Sequence, residues 1–328
     1  MLVSRTPFRV SLFGGGSDYF QHFNEHGGAV LAGAINKYCF ISYRNLVQDF
    51  GAKYRIRYTF SEAATSIDGI EHPAVRGILK YYRIFDPTEI NHSADLPARS
   101  GVGSSSSFVV GLNSILAFNE GQTISPIDSA IQAINLEQNI IKENVGYQDA
   151  ITPAFGGLNL IEFHKKMGTF SVKPVISDNQ YLESISNSLV LVKVGSSRLA
   201  SDIAAIQMNS MKDHSEELNE LAEIARNFYK KLCDASLTIS QLGKMLDHSW
   251  KIKKLQSPLI SNPVIDAFYE RALALGAYGG KLCGAGSSGF FLLAANQDTI
   301  QKLKYEFDKM GVVNFSWDFV GNQVKEVF

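Results

Sequence analysis

Ser100-Gly101-Val102-Gly103-Ser104-Ser105-Ser106-Ser107, running on into Phe108-Val109-Val110-Gly111-Leu112, is the stretch that decides the fold. Its two glycines let the backbone approach an anion closely. The apolar residues that follow keep helical spacing as far as Phe118, so the serines sit where a buried helix begins. A helix start offers unpaired N–H groups and the positive end of the dipole, and together with glycines that is a cradle for phosphate. Pro97 and Arg99 lead into it. No lysine precedes the serines, so this is not a Walker A loop, and P-loop nucleotidases are excluded at this site. A hydroxyl at Ser105 or Ser106 is a suitable oxygen ligand for a divalent cation, provided a carboxylate stands beside it.

Downstream, the spacing predicts a helix over 126–142, with Ser125 as N-cap and Pro126 in the first turn. Ala130, Ile134, Glu137 and Ile141 fall on one stripe of it, which turns Glu137 inward. A buried ionised carboxylate is costly unless a metal ion or a basic side chain meets it. Val145-Gly146-Tyr147-Gln148-Asp149-Ala150 then reads as a tight turn, followed by Gly156-Gly157 and a strand over 158–163. In a phosphotransferase a carboxylate must accept or orient the proton of the attacking hydroxyl, and Asp149 is placed for that task.

Upstream, Arg9-Val10-Ser11-Leu12-Phe13 alternates as a half-buried strand and stops at Gly14-Gly15-Gly16. The stretches 30–44 and 54–60 are also strand-like, and a helix is expected over 73–82. The polar stretch 177–188 marks a boundary between two lobes. Beyond it come a strand over 189–194, helices within 201–232 and over 239–255 and 262–275, and a strand over 290–294. This is a mixed α/β chain.

Gly284-Ala285-Gly286-Ser287-Ser288-Gly289 matches the spacing of a dinucleotide fingerprint. Such a fingerprint follows a strand and opens a helix. Here a helix is expected before the loop and the strand Phe290-Phe291-Leu292-Leu293 after it, so the dehydrogenase reading is rejected.

With 31 basic and 32 acidic residues among 328, the chain has no global field to attract nucleic acid or an anionic membrane. Cys39, Cys233 and Cys283 are odd in number and widely spaced, which argues against a disulfide framework and against zinc. The first residues lack the apolar run of a signal peptide, and no stretch is apolar for long enough to span a bilayer. A cytoplasmic protein, monomeric or homodimeric and acting on a small molecule, is expected.

Taken together, Pro7-Phe8-Arg9-Val10-Ser11-Leu12-Phe13-Gly14-Gly15-Gly16-Ser17-Asp18-Tyr19, the segment 97–106 and Lys281-Leu282-Cys283-Gly284-Ala285-Gly286-Ser287-Ser288-Gly289 resemble the three ordered motifs of the GHMP kinases. The resemblance implies an α/β (α+β) fold of two lobes. Residues 1–180 would form an N-terminal lobe with a left-handed β-α-β unit, binding ATP and Mg2+, and residues 181–328 a ferredoxin-like C-terminal lobe. It also implies that Pro97, Arg99, Ser100, Gly101, Val102, Gly103, Ser104, Ser105, Ser106 and Ser107 cradle ATP, and that Ser105 and Glu137 hold Mg2+. Asp149 would be the base or orienting carboxylate, and Arg9 the cation facing the γ-phosphate. Gly15, Gly16, Ser17, Asp18, Tyr19, Gln148, Gly156, Lys281, Gly284 and Gly286 would meet a sugar.

The triple glycine, the Gly-Tyr-Gln-Asp segment and residues 260–266 look most like the D-glycero-D-manno-heptose 7-phosphate kinases, with fucokinase-like domains a second match. Phosphorylation of an anomeric hydroxyl is therefore expected. A phosphorylated sugar needs a second anion site, for which Arg99, Lys193 and Arg198 are candidates. The rival from another class is a catalytically silent sugar sensor, against which the presence of Arg9, Glu137 and Asp149 argues.

Overall fold

The computed structural model describes residues 1–47, 51–195 and 214–327. One sheet contains β1 (Leu2–Phe13), β2 (Gly28–Asn45), β3 (Tyr54–Arg57), β4 (Ser61–Ala64), β5 (Thr88–Ala94), β6 (Leu158–His164), β7 (Thr169–Pro174) and β12 (Gln323–Glu326). The other contains β8 (Leu189–Val194), β9 (Gly279–Leu282), β10 (Gly289–Ala294) and β11 (Val312–Val313).

The first sheet runs β12-β1-β2-β5-β3-β4. At 18 residues, β2 is long enough to serve two partners on one edge. Its first part pairs with β6, Gly28 opposite Phe163, and its last part pairs with β5, Cys39 opposite Ala94. All strand pairs in this sheet are antiparallel except β3 and β5, which are parallel and joined through β4 and the helix Pro73–Tyr81. From Thr6 onward β1 is buried without alternation, because the wholly buried helix segment 106–117 covers one face and the helix Ser215–Cys233 packs on the strands as well. Phe13 and Phe228 meet there with ring centroids 4.5 Å apart.

The second sheet runs β11-β8-β10-β9 and is antiparallel throughout. With helices between β8 and β9 and between β10 and β11, it has the β-α-β-β-α-β connectivity of a ferredoxin-like unit. Its own core gathers Trp250, Phe268, Tyr269, Phe291 and Phe307. The second half of the chain also reaches back to the first sheet: β12 pairs with β1, and the Asp318 carbonyl accepts from Gly157 N at 2.6 Å. Among the described residues no helix is long and apolar enough to cross a membrane, and all three cysteines are free.

Four local expectations are corrected. The helix expected over 126–142 is an α-helix only over Pro126–Asn135 and continues as a π-helical turn, Leu136–Ile141, which carries Glu137. The tight turn expected at Asp149 is the start of a helix, Gln148–Phe155, whose internal Pro153 and flanking glycines disguise it. The polar boundary is itself a helix, Asn179–Asn187, capped by Asp178. The glycine loop after Leu282 is preceded by β9 and not by a helix, and it joins two antiparallel strands. No helix opens after it, so the dehydrogenase reading still fails on the geometry such a fingerprint requires.

Candidate active site

The three glycine segments meet around one open cleft of about 470 Å3. Arg9, Ser11, Gly15 and Gly16 line it from β1 and the turn after it. Arg99, Gly101 and Gly103 to Ser106 line it from the helix start, residues 142–146 together with Gln148 and Asp149 from the second carboxylate segment, and Lys253, Lys281 and the loop after Leu282 from the other side.

The glycine-serine loop is held by its neighbours before any ligand arrives. Gly101 has φ +80°, and a Cβ there would lie 2.5 Å from the Cys283 carbonyl oxygen, so only glycine permits the two loops to touch. Phe290 N donates to Ser100 O at 2.8 Å, which ties β10 to the same loop. Gly103, at φ +74°, precedes the helix Ser104–Asn119, and no side chain caps its first turn. A helix start without a side-chain cap leaves N–H groups available to an anion.

Arg9 is 3% exposed and anchors the centre. Its Nε and Nη2 donate to Asp149 Oδ1 at 2.9 and 2.7 Å, and its Nη1 donates to the Gly101 carbonyl at 2.6 Å. Burial works against the guanidinium, but the Asp149 carboxylate overcompensates and raises its pKa further. Both Arg9 contacts fall on Oδ1, so Asp149 can present its second oxygen to the cleft.

Glu137 is wholly buried and accepts from Ser106 Oγ at 2.5 Å, while its Oε2 has no hydrogen-bond partner. Burial holds its pKa well above the ordinary carboxylate range, with Asp149 and Glu143 adding to the effect. A buried carboxylate oxygen without a partner, beside a hydroxyl, is a set of oxygen donors that would suit a magnesium ion. The hydroxyl next to Glu137 belongs to Ser106. Ser105, expected there, donates instead to Glu143 Oε2 at 2.9 Å.

Other expected residues lie off the cleft surface. Asp18 is fully buried and accepts from Gly16 N at 2.9 Å and Gln148 N at 3.1 Å, so it shapes the triple-glycine turn from behind instead of facing a sugar directly. Burial, with Asp149 nearby, raises its pKa to about 6. Ser17 is buried, its hydroxyl donating to the Gly14 carbonyl at 2.8 Å and accepting from Ala29 N at 3.1 Å. Ser100, Val102 and Ser107 are buried beneath the loop and Pro97 is exposed; Ser100 Oγ donates to Pro97 O and Ser107 Oγ to Pro7 O. Gly156 packs against Gly321, and Lys193 stands exposed on β8. Neither lines the cleft. Arg198 lies outside the described residues. Tyr19, Gln148, Lys281, Gly284 and Gly286 do line the cleft.

Sequence reasoning missed Ser11, Glu143, Lys253, Gln256 and Ser288, all of which line the cleft. Lys253 lies on the helix Ile239–Leu255, among Lys251 and Lys254. Only the approach of that helix to β9 separates it from its neighbours.

Two family models match the chain: the GHMP kinases N terminal domain over residues 71–157 and GHMP kinases C terminal over residues 228–313, together more than half of its length. A D-glycero-alpha-D-manno-heptose 7-phosphate kinase from Campylobacter jejuni is 28% identical over 303 residues, covering 88% of this chain and 87% of that one. A galactokinase from Pyrococcus furiosus is 24% identical, covering 96% and 95%. Among solved structures, a D-glycero-D-manno-heptose 1-phosphate kinase from Bacteroides thetaiotaomicron superposes with a TM-score of 0.79 over 100% of both chains at 20% identity. Methanococcus jannaschii mevalonate kinase gives 0.70 at 19% identity, covering 97% and 98%. At those identities the structural matches show a shared fold.

Proposed function

The chain belongs to the GHMP kinase family, and from that premise we propose that it transfers the γ-phosphoryl group of ATP to the anomeric hydroxyl of D-glycero-D-manno-heptose 7-phosphate. The observation that carries the reading is the pair of buried Arg9 and partly buried Asp149, which lines the cleft and is tied to the glycine-serine loop through the Gly101 carbonyl. The 28% identity with a heptose 7-phosphate kinase along most of both chains supports the choice of sugar.

In this reading the N–H groups at the start of the helix Ser104–Asn119 bind the phosphate chain of ATP. Glu137, with Ser106 or Ser105, holds magnesium, which when bound neutralises charge on the phosphate oxygens. The triple-glycine turn, buttressed by Asp18, places the sugar with its anomeric hydroxyl against Asp149. That hydroxyl oxygen forms a bond to the γ-phosphorus as the bond to the ADP oxygen breaks, and its proton passes to Asp149. Arg9 orients Asp149 through two hydrogen bonds and sets a fixed positive charge beside the transferring group.

The test is ADP release by the purified protein with heptose 7-phosphate, L-fucose and D-galactose as acceptors, and the position of the new phosphate by phosphorus–proton correlation NMR. Fastest turnover of heptose 7-phosphate to the 1,7-bisphosphate is expected. Far better turnover of L-fucose would overturn the choice of sugar, and ATP binding without turnover of any acceptor would favour the silent sensor.

A further inference from the structure

Two ammonium groups enter the cleft without a carboxylate to pair with. Lys281 on β9 is 7% exposed, and its Nζ donates to the Leu12 carbonyl at 3.2 Å. Lys253 donates to the carbonyls of Leu282, at 3.3 Å, and Gly284. Among the described residues neither forms an ion pair, whereas Arg9 is matched by Asp149. Burial lowers the pKa of both lysines, Lys253 to about 7 with the charge of Lys281 contributing, and Lys281 to about 8. Two like charges held together away from water are unfavourable until an anion joins them.

Independent observations in the same cleft point to the same kind of ligand. The hydroxyl of Ser288, a residue 4% exposed, has no hydrogen-bond partner, and neither has the buried side-chain nitrogen of Gln256. Two ammoniums, a hydroxyl and a carboxamide nitrogen can all donate, so the ligand they suit is rich in acceptors and negatively charged. Their position favours the acceptor over the nucleotide. The carbonyl that holds Lys281 belongs to Leu12, just ahead of the triple-glycine turn, while the nucleotide phosphates have donors of their own at the start of the helix Ser104–Asn119.

We propose that Lys253 and Lys281, with Ser288 and Gln256, form a subsite for a phosphate group already carried by the acceptor, so that this cleft selects phosphorylated sugars. The assignment rests on the sugar kinase reading for its acceptor, and it takes the place of Lys193, which stands off the cleft.

Lys253→Met and Lys281→Met are compared with wild type on heptose 7-phosphate and on the same heptose without its phosphate. Losing a charged hydrogen bond to the phosphate should cut the preference for the phosphorylated sugar by about 10- to 100-fold. Lys253→Arg should restore part of it. A raised KM for ATP with the preference intact would overturn the proposal by assigning the lysines to the nucleotide. Titration of the wild type with inorganic phosphate, alone and then with the sugar phosphate or ATP added, gives a readout independent of variant folding. Competition with the sugar phosphate is expected, and competition with ATP alone would overturn the subsite. If free sugars are better substrates than every sugar phosphate tested, the subsite fails while the kinase stands. If no sugar is turned over but phosphate binding still requires Lys253, the kinase reading fails while the subsite stands.

Discussion

Arg9 and Asp149 lie 140 residues apart in sequence and are joined by two hydrogen bonds onto a single carboxylate oxygen, Oδ1, at 2.7 and 2.9 Å. The pair fixes the direction in which Asp149 presents its other oxygen. Asp149→Asn keeps the shape and removes the proton acceptor, so kcat should fall by about 10^2- to 10^4-fold. ATP binding, measured by calorimetry, should change little. Undiminished turnover would remove Asp149 from the mechanism.

Glu137→Gln should separate stability from metal use. With its folded-state pKa raised, the Glu137 carboxyl binds its proton more tightly in the folded protein than in the unfolded chain. Its contribution is therefore most favourable below the unfolded value of 4.5 and is lost as pH rises through the higher folded one. At pH 8 without magnesium the variant should melt above wild type, while its affinity for ATP in the presence of magnesium falls by about 10-fold or more. A lower melting temperature with unchanged nucleotide affinity would make Glu137 a purely structural group.

Asp18 gives a pH signature with a defined window. Its pKa rises from 3.8 in the unfolded chain to about 6 in the fold, so stability is lost as pH climbs from about 4 to 6. The difference corresponds to about 3 kcal/mol for a fully buried group. Urea midpoints across that range should decline more steeply for wild type than for Asp18→Asn. Parallel curves would show that the carboxyl does not titrate in this window.

Gly146→Ala should disturb the sugar side without touching the nucleotide loop. A Cβ at this position would lie 2.1 Å from Asp18 Oδ2, so Asp18 must move and release its bonds to Gly16 and Gln148. The KM for the sugar should rise about 10-fold or more, with the KM for ATP within about threefold. Equal effects on both constants would place the triple-glycine turn among general structural supports.

The parts of this fold legible in the sequence are those governed by local rules. The glycine-serine loop announces its anion cradle through residue type alone, and the helix Ile239–Leu255 and the strands β8 and β10 follow from plain periodicity. Glu137 was correctly turned inward by its 3.6-residue stripe, although the π-helical turn shifts which serine it meets. The helix Gln148–Phe155 escaped because Pro153 and its glycine neighbours carry the marks of a loop, while burial of Ala150, Ile151 and Ala154 stabilises it regardless. Lys253 escaped for another reason. It is one lysine among several on a helix, and what makes it distinct is the distant Gly284 carbonyl it donates to. Asp18 is legible as a residue of the first motif, but a sequence does not show that two backbone N–H groups enclose its carboxylate.

The pairing of β12 with β1 bears on biosynthesis. Residues 323–326, which close the outer edge of β1, are synthesised more than three hundred residues after it. Until then a strand with open backbone donors and acceptors waits beside a nascent chain, an invitation to pair with the wrong segment or with a neighbouring copy. Completion of the larger sheet thus waits on a segment far along the chain, and truncation before residue 323 should lower soluble yield by leaving that edge uncovered.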